Sequence, residues 1–299
     1  MLAARSEPSP AEEAATVPEL PEIRAHAERL SSTETGRRLQ RFLPLSFTAL
    51  KTFSPAPDAA VGEQVIAVGH RGKYLLLQFE SVQFAIHLMQ GGRLKPDAKQ
   101  SAKPRGGLAR WVFDDGTALL LTEAGTEKKA GVWVLAIDAD LSVDTVVEPF
   151  VGLGPDADRV DLDQLRTLLA AHSMRLHGFL RDQRILAGLG RRLANEICHR
   201  ARLSPFANAS KLGAEESARL LEAIGSCVEE SLGHERARDD MSSSKERPGS
   251  VHHREGESCP VCGDTIRAVE YVRYTVNYCA TCQTDGKVLA DNTTSKFLK

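Results

Sequence analysis

The sequence predicts an α+β protein with three parts: an antiparallel β-sandwich or barrel, a helical region and a small cysteine module. Three observations predict this class. Short runs rich in β-branched residues fill positions 42–138 without intervening helices. Apolar residues three and four positions apart recur between 162 and 232. Four cysteines stand in two close pairs towards the C-terminal end.

Length and charge limit the possible partners. A chain of 299 residues with 42% hydrophobic content can bury about two domain cores. Lys and Arg (38) nearly balance Asp and Glu (40), giving a net charge of -2. The whole molecule therefore has no strong attraction for nucleic acid or anionic membranes, and any basic site must be local.

Hydropathy and cysteine use suggest the compartment. No apolar run approaches the roughly 18 residues that span a bilayer, and the start lacks the pattern of a secretory signal. We therefore expect a soluble, cytoplasmic protein that does not bind membranes. Six cysteines are too few for a disulfide scaffold of this length, so the paired ones indicate a metal.

The character of the chain changes at residue 17. Residues 1–16 consist mainly of Ala, Pro, Glu and Ser, and we expect them to be disordered or untranslated. The run VPELPEIRAHAERL follows, with Pro21 suited to a first helical turn and Glu22 to the positive end of the helix. Apolar residues at helical spacing then predict a helix to about residue 30.

A domain over 17–146 is predicted from strand patterns and turns. The DDG sequence at 114–116 is typical of a hairpin turn. The predicted strands are FTALKTF (47–53), VIAVGHRGKYLLLQF (65–79), FAIHLMQGG (84–92), ARWVFDDGTALLLTEA (109–124) and GVWVLAID (131–138).

The second half begins with a linker, 147–160, which is rich in Gly and Pro. A helical domain, 161–240, follows, with helices predicted at 162–172, 192–203 and 214–232. The remaining divisions are a charged, Ser-rich mobile loop (241–257), the cysteine module (258–286) and a polar tail (287–299).

The cysteine module has the spacing C-x2-C-x16-C-x2-C, formed by Cys259, Cys262, Cys279 and Cys282. Four thiolates on two short knuckles suit one tetrahedral, structural zinc ion, with no position left for a catalytic water. The segment between the pairs alternates as a β-hairpin does. Disulfides and unligated thiols are the alternatives, and such a finger could bind DNA, RNA or protein.

A glycine turn precedes a helix in the run DQRILAGLGRRLANEICHRARLSPF (182–206). The turn, 188–190, feeds a helix that starts with Arg191 and Arg192. Backbone N–H groups at a helix N-terminus favour a phosphate, and the two arginines strengthen that interpretation. A simple packing corner between two helices fits the same pattern.

PELPE, the glycine turn and the cysteine finger, in this order, resemble the formamidopyrimidine-DNA glycosylase/endonuclease VIII family of base-excision repair enzymes. The resemblance covers residues 17 to about 286. It implies a β-sandwich with a leading helix, a helix-two-turn-helix domain and a zinc-finger β-hairpin. It also implies a monomer that binds damaged double-stranded DNA, with one structural Zn²⁺ and no organic cofactor.

The resemblance implies that Pro18 is the nucleophile, because family members use the amine of an N-terminal proline. An internal proline nitrogen belongs to an amide and cannot attack. We therefore hypothesise that translation starts at Val17, as a GTG codon read as Met. Processing to Pro18, or a true extension with an inert proline, are the alternatives.

Further roles come from the same resemblance. Glu19 matches the glutamate that handles protons at the sugar and base. Glu22 matches a second motif glutamate, although capping the helix explains it equally well. Lys73, in HRGKYLLLQF (70–79), matches the lysine that contacts the phosphate beside the lesion.

The phosphate contacts depart from the family pattern. Arg191 stands where the family turn has asparagine, and the finger arginine falls at Tyr274, with Arg273 one residue earlier. We hypothesise that Arg191 replaces the charge of the finger residue, since phosphate contacts need mainly charge and reach.

The residues that fill the space of an extruded base also differ. In HLMQGG, Met89 or Gln90 could serve. The family's wedging arginine and phenylalanine are replaced by TEAGTEKKAG (122–131), where Lys128 and Lys129 can contact only the DNA backbone. The lesion preference is therefore not assigned.

The resulting prediction is a bifunctional DNA glycosylase/AP lyase acting on oxidised bases and abasic sites. A non-catalytic damage-binding protein of the same fold is the alternative. A zinc-ribbon adaptor for proteins is a third possibility, but it leaves PELPE and the lysine hairpin unexplained.

Overall fold

The computed structural model describes residues 17–125, 127–137, 147–240, 247–271 and 274–289. The expectations for residues 1–16, for 290–299 and for Arg273 fall outside these ranges.

Two antiparallel four-stranded sheets form the predicted sandwich, with strand orders β1-β6-β7-β5 and β2-β3-β4-β8. The DDG turn joins β6 to β7, as the sequence predicts. The strands are β1 (Leu39–Pro44), β2 (Ala67–Arg71), β3 (Tyr74–Gln78), β4 (Val82–His87), β5 (Gly92–Pro96), β6 (Gly107–Phe113), β7 (Ala118–Glu123) and β8 (Gly131–Ala136).

An aromatic cluster fills the space between the sheets. Phe42 packs against Phe84 and Trp111 with ring centroids 5.4 and 5.1 Å apart. Trp111 and Phe84 are fully buried. Such tilted and edge-on pairs add to the free energy gained from burying apolar surface.

One predicted strand is wrong. FTALKTF (47–53) forms turns and irregular structure, and Phe47 and Phe53 are 97% and 87% exposed. The edge strand β1 lies just before it and pairs with β6. Its pattern is harder to recognise because two exposed polar residues, Gln40 and Arg41, separate the buried Leu39 and Phe42, as an edge strand tolerates.

The helical domain has its own buried core. Its helices are α2 (Leu162–Ala171), α3 (Leu176–Arg181), α4 (Arg191–Arg200) and α5 (Ala214–Arg236). Three of them match predicted helices. The sequence gives no signal for α3, because its 6 residues are too few for a clear helical period.

Helix α1 (Leu20–Glu34) belongs to both domains. Ile23, Ala27 and Leu30 pack into the sandwich core, while Leu20 packs into the helical core. Arg24 reaches across to Glu229 on α5, with Nη1 and Oε1 3.0 Å apart. The N-terminus of α1 is therefore fixed at the junction of the two domains.

Two segments predicted as a linker and a mobile loop are packed where they are described. Phe150 is buried, and the Gly154 N–H donates to the Gln183 carbonyl at 2.9 Å. The Glu196 carboxylate accepts three backbone N–H groups from residues 250–252, at 2.7 to 3.1 Å. A half-buried carboxylate in α4 thus holds a charged, Ser-rich segment that composition assigns to solvent.

The cysteine module contains the predicted hairpin. Strands β9 (Ile266–Tyr271) and β10 (Tyr274–Cys279) pair antiparallel, and the short helix α6 (Ala280–Gln283) follows. Within the described ranges, no helix is both long and apolar enough to cross a membrane.

Candidate active site

The PELPE motif, the lysine hairpin and the glycine turn meet at one cleft of about 140 Å³ between the sandwich and the helical domain. The cleft is basic although the net charge of the whole chain is only -2, so the positive charge is local to it. The lining residues come from the PELPE motif, the β2–β3 turn, α3 and the glycine turn: Val17, Glu19, Lys73, Arg181, Gly190, Arg191 and Arg192.

Glu19 binds the N-terminus of α4. Its Oε1 accepts the Arg192 N–H at 3.1 Å, and its Oε2 accepts the Leu193 N–H at 3.0 Å. The side chain is 4% exposed. The helix N-terminus predicted to hold a phosphate therefore holds a protein carboxylate, because a negative side chain fits the same positive helix end.

Two glycines allow this approach. A Cβ on Gly190 would lie 2.6 Å from the Glu19 carboxyl carbon. A Cβ on Gly188 would lie 2.9 Å from the Cβ of Leu20, and Gly188 has φ near +99°. Both positions need glycine, so the turn brings α4 directly against the PELPE motif.

Lys73 occupies the tight turn between β2 and β3. Asp156 fixes this turn: its Oδ1 accepts Arg71 Nη1 at 2.5 Å and the Gly72 N–H at 2.7 Å. Arg71 also donates to the Gly154 carbonyl at 2.8 Å. The segment predicted as a linker thus positions the lysine, which composition alone does not reveal.

Cations crowd the cleft. Burial lowers the pKa of Lys73, and Arg181 and Arg191 lower it further, against the opposing effect of Glu19 and Glu22. Burial also lowers the pKa of Arg181. These three positive side chains share the cleft with one carboxylate, that of Glu19. Because the Glu19 oxygens already accept hydrogen bonds from the N-terminus of α4, the cleft favours binding of a further anion.

Glu22 forms a buried ion pair behind the cleft. Its Oε1 lies 3.1 Å from Arg247 Nη1, and its Oε2 accepts the Glu19 N–H at 3.1 Å. Burial raises the pKa of Glu22 to about 7 despite the opposing effect of Arg247. The carboxylate caps α1, and Arg247 ties it to the segment held by Glu196.

The four cysteines of the module lie together as the spacing predicts. Their Sγ atoms are all within 4.8 Å of one another, with Cys262 and Cys279 3.3 Å apart. Four thiolates around one tetrahedral zinc are about 3.8 Å apart. The His199 Nε2 of α4 lies 3.3 Å from Cys259 Sγ, which links the cluster to the helix that holds Glu19.

Comparison with known proteins identifies the family. A model described as the formamidopyrimidine-DNA glycosylase N-terminal domain matches residues 17–126, and one of its H2TH domain matches 151–242. The formamidopyrimidine-DNA glycosylase of Pelotomaculum thermopropionicum is 31% identical, over 89% of this chain and 99% of that protein. The chain belongs to the formamidopyrimidine-DNA glycosylase family.

Further relatives agree with this assignment. An uncharacterised formamidopyrimidine-DNA glycosylase-like protein of Mycobacterium tuberculosis is 43% identical, over 49% of this chain and 94% of that protein. The Lactococcus lactis enzyme, solved with DNA containing an abasic site, superposes with a TM-score of 0.76 at 19% identity, covering 89% and 99% of the two chains. The latter comparison supports the fold.

Arg192, a predicted DNA contact, is one of the residues lining the cleft, but it is largely buried. The residue is 6% exposed, and its guanidinium donates to the Arg247 carbonyl. Arg191 and Arg192 are consecutive in α4, so their side chains leave the helix about 100° apart. Arg192 packs α4 against the 247–252 segment.

The residues expected near the extruded base lie on two loops of the sandwich. Met89 is half-buried in the β4–β5 turn, with φ near +50°, and Gln90 beside it is exposed. The other loop follows β7, where Lys128 donates to the Glu123 carbonyl and exposed Lys129 pairs with Glu127 at 2.7 Å.

Proposed function

We propose that this member of the family is a bifunctional DNA glycosylase and AP lyase for oxidised bases and abasic sites, with Pro18 as its nucleophile. The cleft supports the proposal: Val17 and Glu19, on either side of Pro18, line it together with Lys73 and three arginines. An amine at this point would stand among cations suited to a DNA backbone.

The chemistry follows from a free amine at Pro18. Its lone pair attacks C1′ of the damaged nucleotide, and the bond from C1′ to the base breaks as the base leaves with a proton. The bond from C1′ to the ring oxygen then breaks, the oxygen takes a proton, and the nitrogen and C1′ form an iminium ion. Loss of a proton from C2′ then expels the 3′ phosphate, and a second elimination expels the 5′ phosphate.

Glu19 is proposed to move protons at the sugar. Two N–H groups fix its carboxylate, and a carboxylate has about four lone-pair sites, so capacity remains on the side that lines the cleft. Lys73 is proposed to bind the phosphate beside the reacting sugar. Glu22, buried in its pair with Arg247, is proposed to support Glu19 through its backbone.

The residues around the lesion are proposed from their positions. Tyr74, the residue after Lys73, pairs with His87 in the ladder of β3 and β4, so the end of β4 lies close to Lys73. Burial and the Lys73 charge lower the pKa of His87 to about 4. Met89 accompanies it, since its N–H donates to His87 Nδ1 at 3.0 Å. Met89 or Gln90 would fill the space left by the base, and Lys128 and Lys129 would contact the backbone.

The metal is proposed to be one zinc ion. Cys259, Cys262, Cys279 and Cys282 supply four thiolates at distances that fit it, and zinc would staple the hairpin without taking part in catalysis. Arg273 is retained as a proposed DNA contact on this hairpin from its sequence position.

The alternative is a non-catalytic damage-binding protein, and one observation favours it. In the 299-residue chain the Pro18 nitrogen belongs to an amide, which has no lone pair to donate.

Trapping with borohydride on a duplex that carries an abasic site tests both functions. One protein starts at Pro18, produced from a Met codon in place of Val17, and the other is the 299-residue chain. We expect a covalent adduct only with the first, because only it has a free amine. Tight binding without any adduct would favour the damage-binding protein. An equal adduct from both would assign the nucleophile elsewhere.

A further inference from the structure

We infer that Arg181, held by the ring of Tyr274, is a phosphate-binding residue of this cleft and takes the place of a finger arginine. The inference rests on the proposed binding of damaged DNA. Arg181 lies at the end of α3, a helix that the sequence did not predict. Tyr274 stands where the family pattern has the finger arginine.

The two side chains are in direct contact. The Arg181 guanidinium carbon lies 4.0 Å from the centroid of the Tyr274 ring. A guanidinium over an aromatic face is attracted by the ring quadrupole and stacks on it. A positive charge therefore still lies at the cleft. Arg181 on α3 carries it, and Tyr274 on β10 of the finger supports the guanidinium.

The tyrosine is itself braced. Its ring stacks on Tyr271 across the hairpin, with centroids 4.7 Å apart and planes 16° apart. On the helical side, the His177 ring lies 5.9 Å away at the same angle. Tyr271 accepts a hydrogen bond from Arg175 at 2.5 Å. The arginine thus rests on a rigid platform built by the finger and α3.

Arg181 has unused binding capacity. Its Nη1 is buried and has no hydrogen-bond partner among the described residues. The side chain lines the cleft beside Lys73 and Glu19. Its charge and that of Arg191 disfavour protonation of Lys73, so the three cations repel one another. An anion that accepts from Arg181 would relieve both the missing bond and the repulsion.

A DNA phosphate is the anion that fits. A planar guanidinium donates two parallel N–H groups to phosphate oxygens, which a lysine cannot do. The neighbouring Arg191 and Lys73 can share the same or adjacent phosphates. The earlier hypothesis, that Arg191 alone replaces the finger charge, is thereby extended to a pair of arginines.

The test measures binding, which does not need a free amine at Pro18. The zinc-loaded 299-residue protein is titrated with a duplex that carries a tetrahydrofuran abasic analogue, at several salt concentrations. We expect Arg181→Ala to weaken binding about tenfold. The negative slope of log K against log salt should become less steep by about 0.9, as the loss of one phosphate contact predicts. Arg184→Ala is the matched control, because Arg184 is three residues along, exposed and paired with Asp182.

The platform is tested by a double-mutant cycle. Tyr274→Ala is expected to weaken binding severalfold, Tyr274→Phe to leave it near the parent value, and Arg181→Ala with Tyr274→Ala to match Arg181→Ala alone. Compared with Arg181→Ala, Arg181→Lys is expected to bring back the salt dependence of the parent protein but only part of its affinity, because lysine keeps the charge without the planar guanidinium. An unchanged affinity and slope in Arg181→Ala, or additive losses in the double variant, would overturn the inference. A parent protein that does not bind the duplex would instead overturn the proposed function itself.

Discussion

At the residue scale, the position of Glu19 explains why this cleft forms. Its carboxylate satisfies the first N–H groups of α4, so the PELPE motif and the glycine turn stabilise each other. Sequence patterns indicate each motif, but they do not indicate that one motif caps the other.

The close approach at Gly190 gives the first prediction. We expect Gly190→Ala to lower cleavage of abasic DNA by a Pro18-initiated chain about a hundredfold, because a Cβ there must displace the Glu19 carboxylate. The free energy of unfolding should fall by about 1–3 kcal/mol. Gly213→Ala is the control, since Gly213 precedes α5 in the same way and its Cβ would only approach Glu216 Oε2 at 3.6 Å. Equal activity in the two variants would contradict the role of this contact.

The buried pair of Glu22 and Arg247 gives a prediction with a pH dependence. The pKa of Glu22 is raised to about 7, so the folded state keeps a proton that the unfolded state releases above about 4.5. The contribution of Glu22 to stability therefore falls as the pH rises through this window. Arg247→Leu removes the cation that stabilises the ionised form.

We expect Arg247→Leu to destabilise the protein by about 3 kcal/mol at pH 8 and by clearly less at pH 5, where Glu22 is protonated. Urea denaturation at the two pH values measures the difference. The control is Arg254→Leu, since Arg254 pairs with exposed Glu257 and its loss should cost the same at both values. A pH-independent loss in Arg247→Leu would show that packing, not charge, accounts for its effect.

At the element scale, the β2–β3 turn shows how a segment without regular structure can position a functional side chain. Lys73 projects from a turn that Asp156 holds from another part of the chain. The buried Arg71 depends on the same carboxylate, with side chains 9% and 1% exposed. The hairpin is therefore fixed by long-range polar contacts as well as by its own ladder.

We expect Asp156→Ala to loosen this hairpin and to destabilise the protein by about 3 kcal/mol, because Arg71 is left buried without its partner. Amide hydrogen exchange should become faster at Gly72 and Lys73 while the far end of β3 stays protected. Asp114→Ala is the matched control, since Asp114 flanks the β6–β7 turn with an exposed pair to Arg38. Unchanged exchange at Gly72 would argue against the clamp.

At the scale of the whole molecule, helix α4 connects the cleft to the cysteine cluster. Glu19 binds its first turn, Glu196 holds the 250–252 backbone at its middle, and His199 contacts Cys259 near its end. The finger also supports the cleft through Tyr274. We therefore expect metal binding and DNA binding to be coupled through this helix.

We expect one zinc per chain by elemental analysis, and loss of abasic-duplex binding when a strong chelator removes it. After chelation, four thiols should react quickly with a thiol reagent. Cys198 and Cys227 should react only on unfolding, because burial raises both pKa values, that of Cys227 to about 12. Six thiols that react at one rate, or binding that survives removal of the metal, would contradict this organisation.

Much of the fold was predictable from the sequence because its signals are local. Strand alternation, helical spacing and turn residues specify β6, β7, α2 and α5 within their own segments. The missed elements lack such signals: β1 lies at a sheet edge, α3 is short, and FTALKTF has the composition of a strand but no neighbour that buries its phenylalanines. Burial by distant residues decides these cases.

By itself, the sequence determined the order of the motifs, the four cysteines of the candidate metal site and the family, since each depends on residue types at fixed spacing. Only the tertiary structure decided which cations face the cleft. Arg192 is buried against the Arg247 carbonyl, whereas the Arg181 guanidinium lies over the ring of Tyr274 from the finger. The physical reason is that direction and partnership of a side chain depend on packing between segments far apart in the chain, which no local pattern records.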